Sequence, residues 1–160
     1  MTPADAPILI AYDGSDAARR AVRATAELFG SRPALVVTVW EPGLAYDVAA
    51  LQTAGLEMPP VPIDVEEAQE VEHELHDRAR HTAQDGAELA RSLGLQADAL
   101  AVADEAHVAD AIVGLAGKRR VAAIVVGSRG LTGLRARLEG STSNAVLKRA
   151  SCPVVVVHDD

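Results

Sequence analysis

Aromatic side chains are nearly missing from this chain, with one tryptophan, two tyrosines and one phenylalanine among 160 residues. A core built without them has to be packed from Val, Leu, Ile and Ala. Such β-branched and small residues suit strands covered on both faces by helices. The scarcity also argues against a flavin carrier, which would ordinarily flank its isoalloxazine ring with aromatic residues. Cysteine is almost absent as well. Cys152 stands alone, which excludes an internal disulfide and agrees with a reducing, cytoplasmic setting. Positive charge is in deficit, with 15 basic against 23 acidic residues and a net charge of −8. No basic field is available for nucleic acid or an anionic membrane, so neither is expected as a partner. No apolar run approaches the ~20 residues that cross a bilayer. Residues 1–7 lack the basic and apolar regions of a secretory signal, and a cytoplasmic protein is expected.

What the sequence does contain is an alternation of apolar runs and helical stripes. Ile8–Tyr12 reads as a strand that ends at the turn Asp13-Gly14-Ser15, with Ser15 placed to cap a helix. Ala18, Val22, Ala26 and Phe29 then follow helical spacing up to Gly30. Ala34–Trp40 is a second strand. Glu41–Ile63 carries four prolines and two glycines without periodicity and reads as a long irregular segment. Asp64 with Glu67 resembles a capping box. It opens a long helix with Ala68, Val71, Leu75, Ala79, Ala83, Ala87, Ala90 and Leu93 on one stripe, closed by Gly94. Ala97–Ala103 is a third strand, and Val108, Ile112 and Leu115 mark a short helix before Gly117. Val121–Val126, Ser141–Ala150 and Pro153–Val157 read as strand, helix and strand. Residues 1–160 therefore form one α/β domain, a five-stranded parallel sheet with right-handed crossovers.

The chemistry is concentrated after the fourth strand. Gly127-Ser128-Arg129-Gly130 is followed by nine residues and then Gly140-Ser141-Thr142-Ser143. Glycines let backbone amides approach an anion with no Cβ in the way. Ser141, Thr142 and Ser143 open a helix, so N–H groups and hydroxyls are expected to point outward at the positive end of its dipole. Four glycines in fourteen residues ending on three hydroxyls favour a phosphate loop over simple punctuation. The loop lacks the Gly-Lys-Ser/Thr of a Walker motif. Its position after the fourth strand also departs from a dinucleotide fingerprint. Asp13 is the second piece, a carboxylate suited to ribose hydroxyls, although Asp-Gly is also a common turn pair. If Asp13 and Gly127 serve one ligand, the first and fourth strands are neighbours. The sheet order is then 3-2-1-4-5, with the ligand at its switch point.

Other clusters carry less. His73, Asp77 and His81 share a helix spacing that could hold a metal, but they lie opposite the apolar stripe and read as a wet face. Arg129, Arg135 and Arg137 could reach phosphates but read equally as solvated loop charges. Cys152 reads as a small residue entering the last strand. No nucleophile motif accompanies His107 or His158, and no catalytic residue is assigned.

The motif G-x-x-G-x9-G-S/T, the opening strand Ile8-Leu9-Ile10-Ala11-Tyr12-Asp13-Gly14-Ser15 and the closing Cys152-Pro153-Val154-Val155-Val156-Val157 resemble the universal stress protein family. The resemblance implies a flavodoxin-like or adenine-nucleotide α-hydrolase-like fold. It also implies, in one branch, binding of ATP or another adenine nucleotide, with Mg2+ carried on the phosphates, by a regulatory sensor in stress response. By position, Asp13 would hold the ribose and the Val39 backbone would meet adenine. Ala11 would lie on that same side, where some members carry proline. Val126 and Gly127 would border ribose and phosphates, and Gly130, Gly140, Ser141, Thr142 and Ser143 would take phosphates. A member without nucleotide, acting through protein contacts, and a slow ATPase are the alternatives. A homodimer is expected through the fifth strand. Val154, Val155, Val156 and Val157 form an apolar run there, which the strand order puts at an unpaired edge.

Overall fold

The computed structural model describes residues 5–43, 64–104, 107–128 and 142–158. Most of the irregular segment after the second strand, and the loop carrying Arg129, Gly130, Arg135, Arg137, Gly140 and Ser141, lie outside the described residues. Strand β1 (Ile8–Ala11) leads to helix α1 (Asp16–Phe29) and β2 (Pro33–Trp40). Helix α2 (Val65–Ser92), β3 (Gln96–Ala103), α3 (Val108–Arg119) and β4 (Ala123–Gly127) follow. Helix α4 (Thr142–Arg149) and β5 (Val154–Val157) complete the order. All strand pairs are parallel and the order is β3-β2-β1-β4-β5, as expected.

The pleat sorts the strand residues onto two cores. Ile8, Ile10, Ala34, Val36, Ala123 and Val125 face α1 and α2, where they meet Ala18, Ala21, Val22, Ala87 and Ala90. Leu9, Leu35, Val37, Ile124 and Val126 face α3 and α4, packing with Ala109, Ile112, Ala116 and Val146. Alanines dominate the helix faces, which lets helices lie close to a sheet built from bulkier aliphatics. Tyr12, 3% exposed, is the one fully buried aromatic among the described residues. Its ring lies where Gly86 of α2 leaves room, since a Cβ on that glycine would fall 2.6 Å from it.

Local signals act largely as the sequence implies. The Ser15 side chain accepts from the Ala18 amide (3.1 Å), and Asp64 accepts from the amides of Glu66 and Glu67. The end of α3 differs from expectation. The helix runs through Gly117 to Arg119 and stops at Arg120, which adopts the left-handed conformation (φ 49°). Gly117 has no positive φ and a Cβ there would meet open space, so the helix crosses it without needing a glycine stop. The stripe on α2 is also uneven, with Ala68 buried near its start. Ala79, Ala83, Ala87 and Ala90 are buried, but Val71 is 38% and Leu93 42% exposed, Leu93 because it falls just past the helix.

Candidate functional site

In a parallel sheet every strand delivers its carboxyl end to the same edge. Here those ends are Ala11, Trp40, Ala103, Gly127 and Val157. β1 pairs with both β2 and β4, so the chain winds away from it in opposite directions and leaves a crevice above the β1–β4 junction. Ligands of open α/β sheets sit in such crevices. Since Ile10 lies opposite Val125, Tyr12 and Gly127 fall level with each other two residues further on. Asp13 follows on one side of the crevice and Ser128 on the other.

The turn after β1 is tightly defined. Gly14 has φ +82°, a conformation L residues rarely adopt, and the Ser15 amide donates to Asp13 Oδ1 (2.9 Å). The aspartate is thereby held half-buried at the mouth of the crevice. Ser15, not singled out from sequence beyond its cap, thus also orients the carboxylate. The start of α1 follows directly and presses onto β4. A Cβ on Gly127 would stand 2.8 Å from the carbonyl oxygen of Ala17. The reason for glycine at 127 is therefore partly structural. It brings the positive end of α1 down onto the end of β4.

From the opposite face, α4 is tied to the same point. Ser143, 7% exposed, donates its hydroxyl to the Gly127 carbonyl (2.9 Å). The expectation that all three hydroxyls point outward is corrected here. Ser143 is the second residue of the helix and faces the sheet, so its side chain anchors the helix start. Thr142, at the first position of α4, remains half-exposed. Two helix N-termini, one per face of the sheet, thus converge on Gly127, and their dipoles add at an anion placed between them.

Ala11 and Val126 are 7% and 2% exposed, with side chains inside the α3–α4 core. Any contribution from them comes through the main chain. Val39 lies near the end of β2. Val37 turns its carbonyl towards β1, where the Tyr12 amide donates to it (2.8 Å). By the two-residue period of a strand, Val39 turns its own amide and carbonyl to the same side, beyond the point where β1 ends. Thr38 is a residue sequence reasoning overlooked. Its buried hydroxyl donates to the Tyr12 carbonyl (2.8 Å) and joins β2 to the first residue past β1. A single hydroxyl within the apolar run Ala34–Trp40 was its only signal. Gly130, Gly140 and Ser141 lie outside the described residues.

Away from the crevice, His73 Nε2 lies 3.3 Å from Asp77 Oδ2 on an exposed face of α2, while Nδ1–H of His81 donates to the Asp77 carbonyl (2.7 Å). The three groups do not converge on one point. Among the described residues no cluster of three or more metal-ligating side chains forms, and no helix is long and apolar enough to cross a membrane. Arg19, on the first turns of α1, is held protonated above its ordinary range by a hydrogen bond from its guanidinium to Tyr12.

Residues 6–158 match the model of the universal stress protein family. A universal stress protein of Bacillus subtilis (strain 168), YxiE, is 30% identical over 152 residues, covering 94% of this chain and 97% of its own length. Among solved structures, a universal stress protein in complex with cAMP aligns with TM-score 0.63 and 21% identity, over 99% of this chain and all of the other. One from Archaeoglobus fulgidus in complex with dAMP aligns with TM-score 0.57 and 24% identity over 98% of both chains. A family protein of Arabidopsis thaliana with AMP bound aligns with TM-score 0.63 and 18% identity, over 97% and 92%.

Proposed function

Because this chain belongs to the universal stress protein family, we propose that it is a cytoplasmic adenine-nucleotide-binding regulator of stress response, with ATP as its ligand. The observation that carries the reading is the convergence of α1 and α4 on Gly127 at the switch point, with Asp13 held across the crevice. A chain of net charge −8 repels a polyphosphate at long range. Capture must therefore be local, through backbone amides and helix dipoles, with Mg2+ accompanying the phosphates. The nucleotides described with the solved relatives support the ligand class. Asp13 offers its carboxylate to the ribose and the Val39 main chain meets the base. Val126, Gly127 and Thr142 border the phosphate side, Gly130, Gly140 and Ser141 are assigned to it by their place in the motif alone, and Ser143 acts through its tie to Gly127.

Thermal unfolding with and without nucleotide tests this. For Kd near ~10 μM, ~1 mM ATP stabilises by about 2.7 kcal/mol, or about 5–10 °C in Tm for a domain of this size. Asp13→Ala should reduce that shift for adenosine and ATP alike. A Tm indifferent to ATP, ADP and AMP would refute nucleotide binding and favour a member acting through protein contacts.

The same reading includes a homodimer through β5, an edge strand of four half-buried valines that pack alternately on the two cores. Antiparallel pairing with a second copy would satisfy its open side. Light scattering should give twice the 16.7 kDa chain mass, moving towards monomer in Val155→Pro. A monomeric wild type at micromolar concentration would count against it.

A further inference from the structure

The exit of β2 is held from two directions. The Asp104 amide donates to the Trp40 carbonyl (2.8 Å) and fixes the strand end against β3. On the helical side, the Trp40 indole lies against the His76 imidazole, centroids 5.4 Å apart and planes inclined by 58°. Three residues later the Gly43 amide donates to Glu72 Oε1 (2.6 Å). Glu72 and His76 are one turn apart on α2 and so present one face of the helix to this exit. Gly43 itself has φ +82°, so the chain turns sharply where Glu72 holds it.

These ties hold the chain immediately beyond one peptide plane, that of the Val39 carbonyl and the Trp40 amide, and so restrain its rotation from the Trp40 side. The Val39 carbonyl and the Trp40 amide belong to one rigid unit, so anchoring Trp40 sets the direction of that carbonyl. Adenine presents an amino donor beside a ring-nitrogen acceptor, and guanine presents a carbonyl acceptor beside an N–H donor. The carbonyl and amide of Val39, which face the same side, therefore distinguish the two bases when held at fixed angles. If the plane rotates, the distinction is lost.

We infer that His76 and Glu72 of α2 are positioning residues that set base selectivity at this site by clamping Trp40 and Gly43 behind Val39. The inference rests on the nucleotide-binding reading above. The clamp touches no nucleotide and acts only through β2.

Calorimetric titration of ATP and GTP into wild type, His76→Ala, Glu72→Ala and His76→Phe tests it. The first two variants should weaken ATP about 3–10-fold, the worth of one misaligned hydrogen bond, while GTP is affected less, so the ATP-to-GTP ratio narrows. His76→Phe keeps a ring against Trp40 and should restore the ratio, an outcome that mere loss of stability would not produce. Folded variants that bind both nucleotides as the wild type does overturn the clamp and leave the nucleotide site standing. Equal weakening of ATP and GTP also overturns it. A wild type that binds no adenine nucleotide overturns the site reading itself, and the clamp with it.

Discussion

Replacing Gly127 by alanine adds one methyl group at the point where two helices and a strand end meet. The new Cβ would lie 2.8 Å from the Ala17 oxygen and 2.9 Å from its carbonyl carbon, where ordinary contact begins near 3.4 Å. Both are backbone atoms, so no side-chain rotation relieves the clash. Helix α1 cannot withdraw freely, because Ala18, Ala21 and Val22 are packed against Ile8, Ile10, Ala123 and Val125 in the core. Overpacking of this kind costs about 1–3 kcal/mol. Residue 127 has no positive φ, so alanine fits the backbone and recovers about 0.4–1 kcal/mol through the unfolded state. The clash wins, with a net loss of about 1–2 kcal/mol and a Tm lower by about 2–8 °C. Differential scanning calorimetry without ligand measures this. Gly114→Ala supplies the comparison, being exposed within α3 with nothing within 4 Å of its added Cβ. It should raise stability by about 0.5–1 kcal/mol. If Gly127→Ala behaves like Gly114→Ala, the close approach of α1 to β4 is wrong.

Gly86→Ala sets a helix-propensity gain of about 1 kcal/mol against a Cβ 2.6 Å from the buried Tyr12 ring. The packed ring should prevail and lower Tm, and a rise would mean the ring yields without cost. Ile112, fully buried between α3 and the sheet, should cost about 2–5 kcal/mol as alanine, read by urea unfolding; a loss under ~1 kcal/mol would contradict that packing. Burial pushes the Cys152 thiol up from its ordinary value. Since the thiolate is the reactive form, a disulfide reagent at pH 8 should label it more slowly than a free thiol, the rate increasing at higher pH. Labelling as fast as a free thiol would contradict the burial.

Much of this architecture was legible from local patterns. Ser15, Asp64 and the alanine stripe of α2 announce helices because capping and 3.6-residue periodicity act within a few residues of chain. The valine-rich runs announce strands buried on both faces. Even the order β3-β2-β1-β4-β5 could be anticipated, because one ligand shared by Asp13 and Gly127 requires β1 beside β4. Gly117 shows where such reasoning fails. Glycine permits a helix to stop without compelling it, and the left-handed turn was placed at Arg120 by the onward path into β4.

The site divides along the same line. That a glycine-rich turn follows β4, and that an aspartate follows β1, are facts of sequence. Which group each residue faces is a matter of distance between segments far apart in the chain, and no periodicity encodes it. Only the assembled sheet turns Ser143 inwards onto Gly127, sixteen residues earlier, and makes Gly127 a seat for α1. It likewise sends the Thr38 hydroxyl to Tyr12 and brings His76 of α2 against Trp40. Those contacts arise because burial leaves each polar group few partners within reach, and the fold alone decides which partners those are.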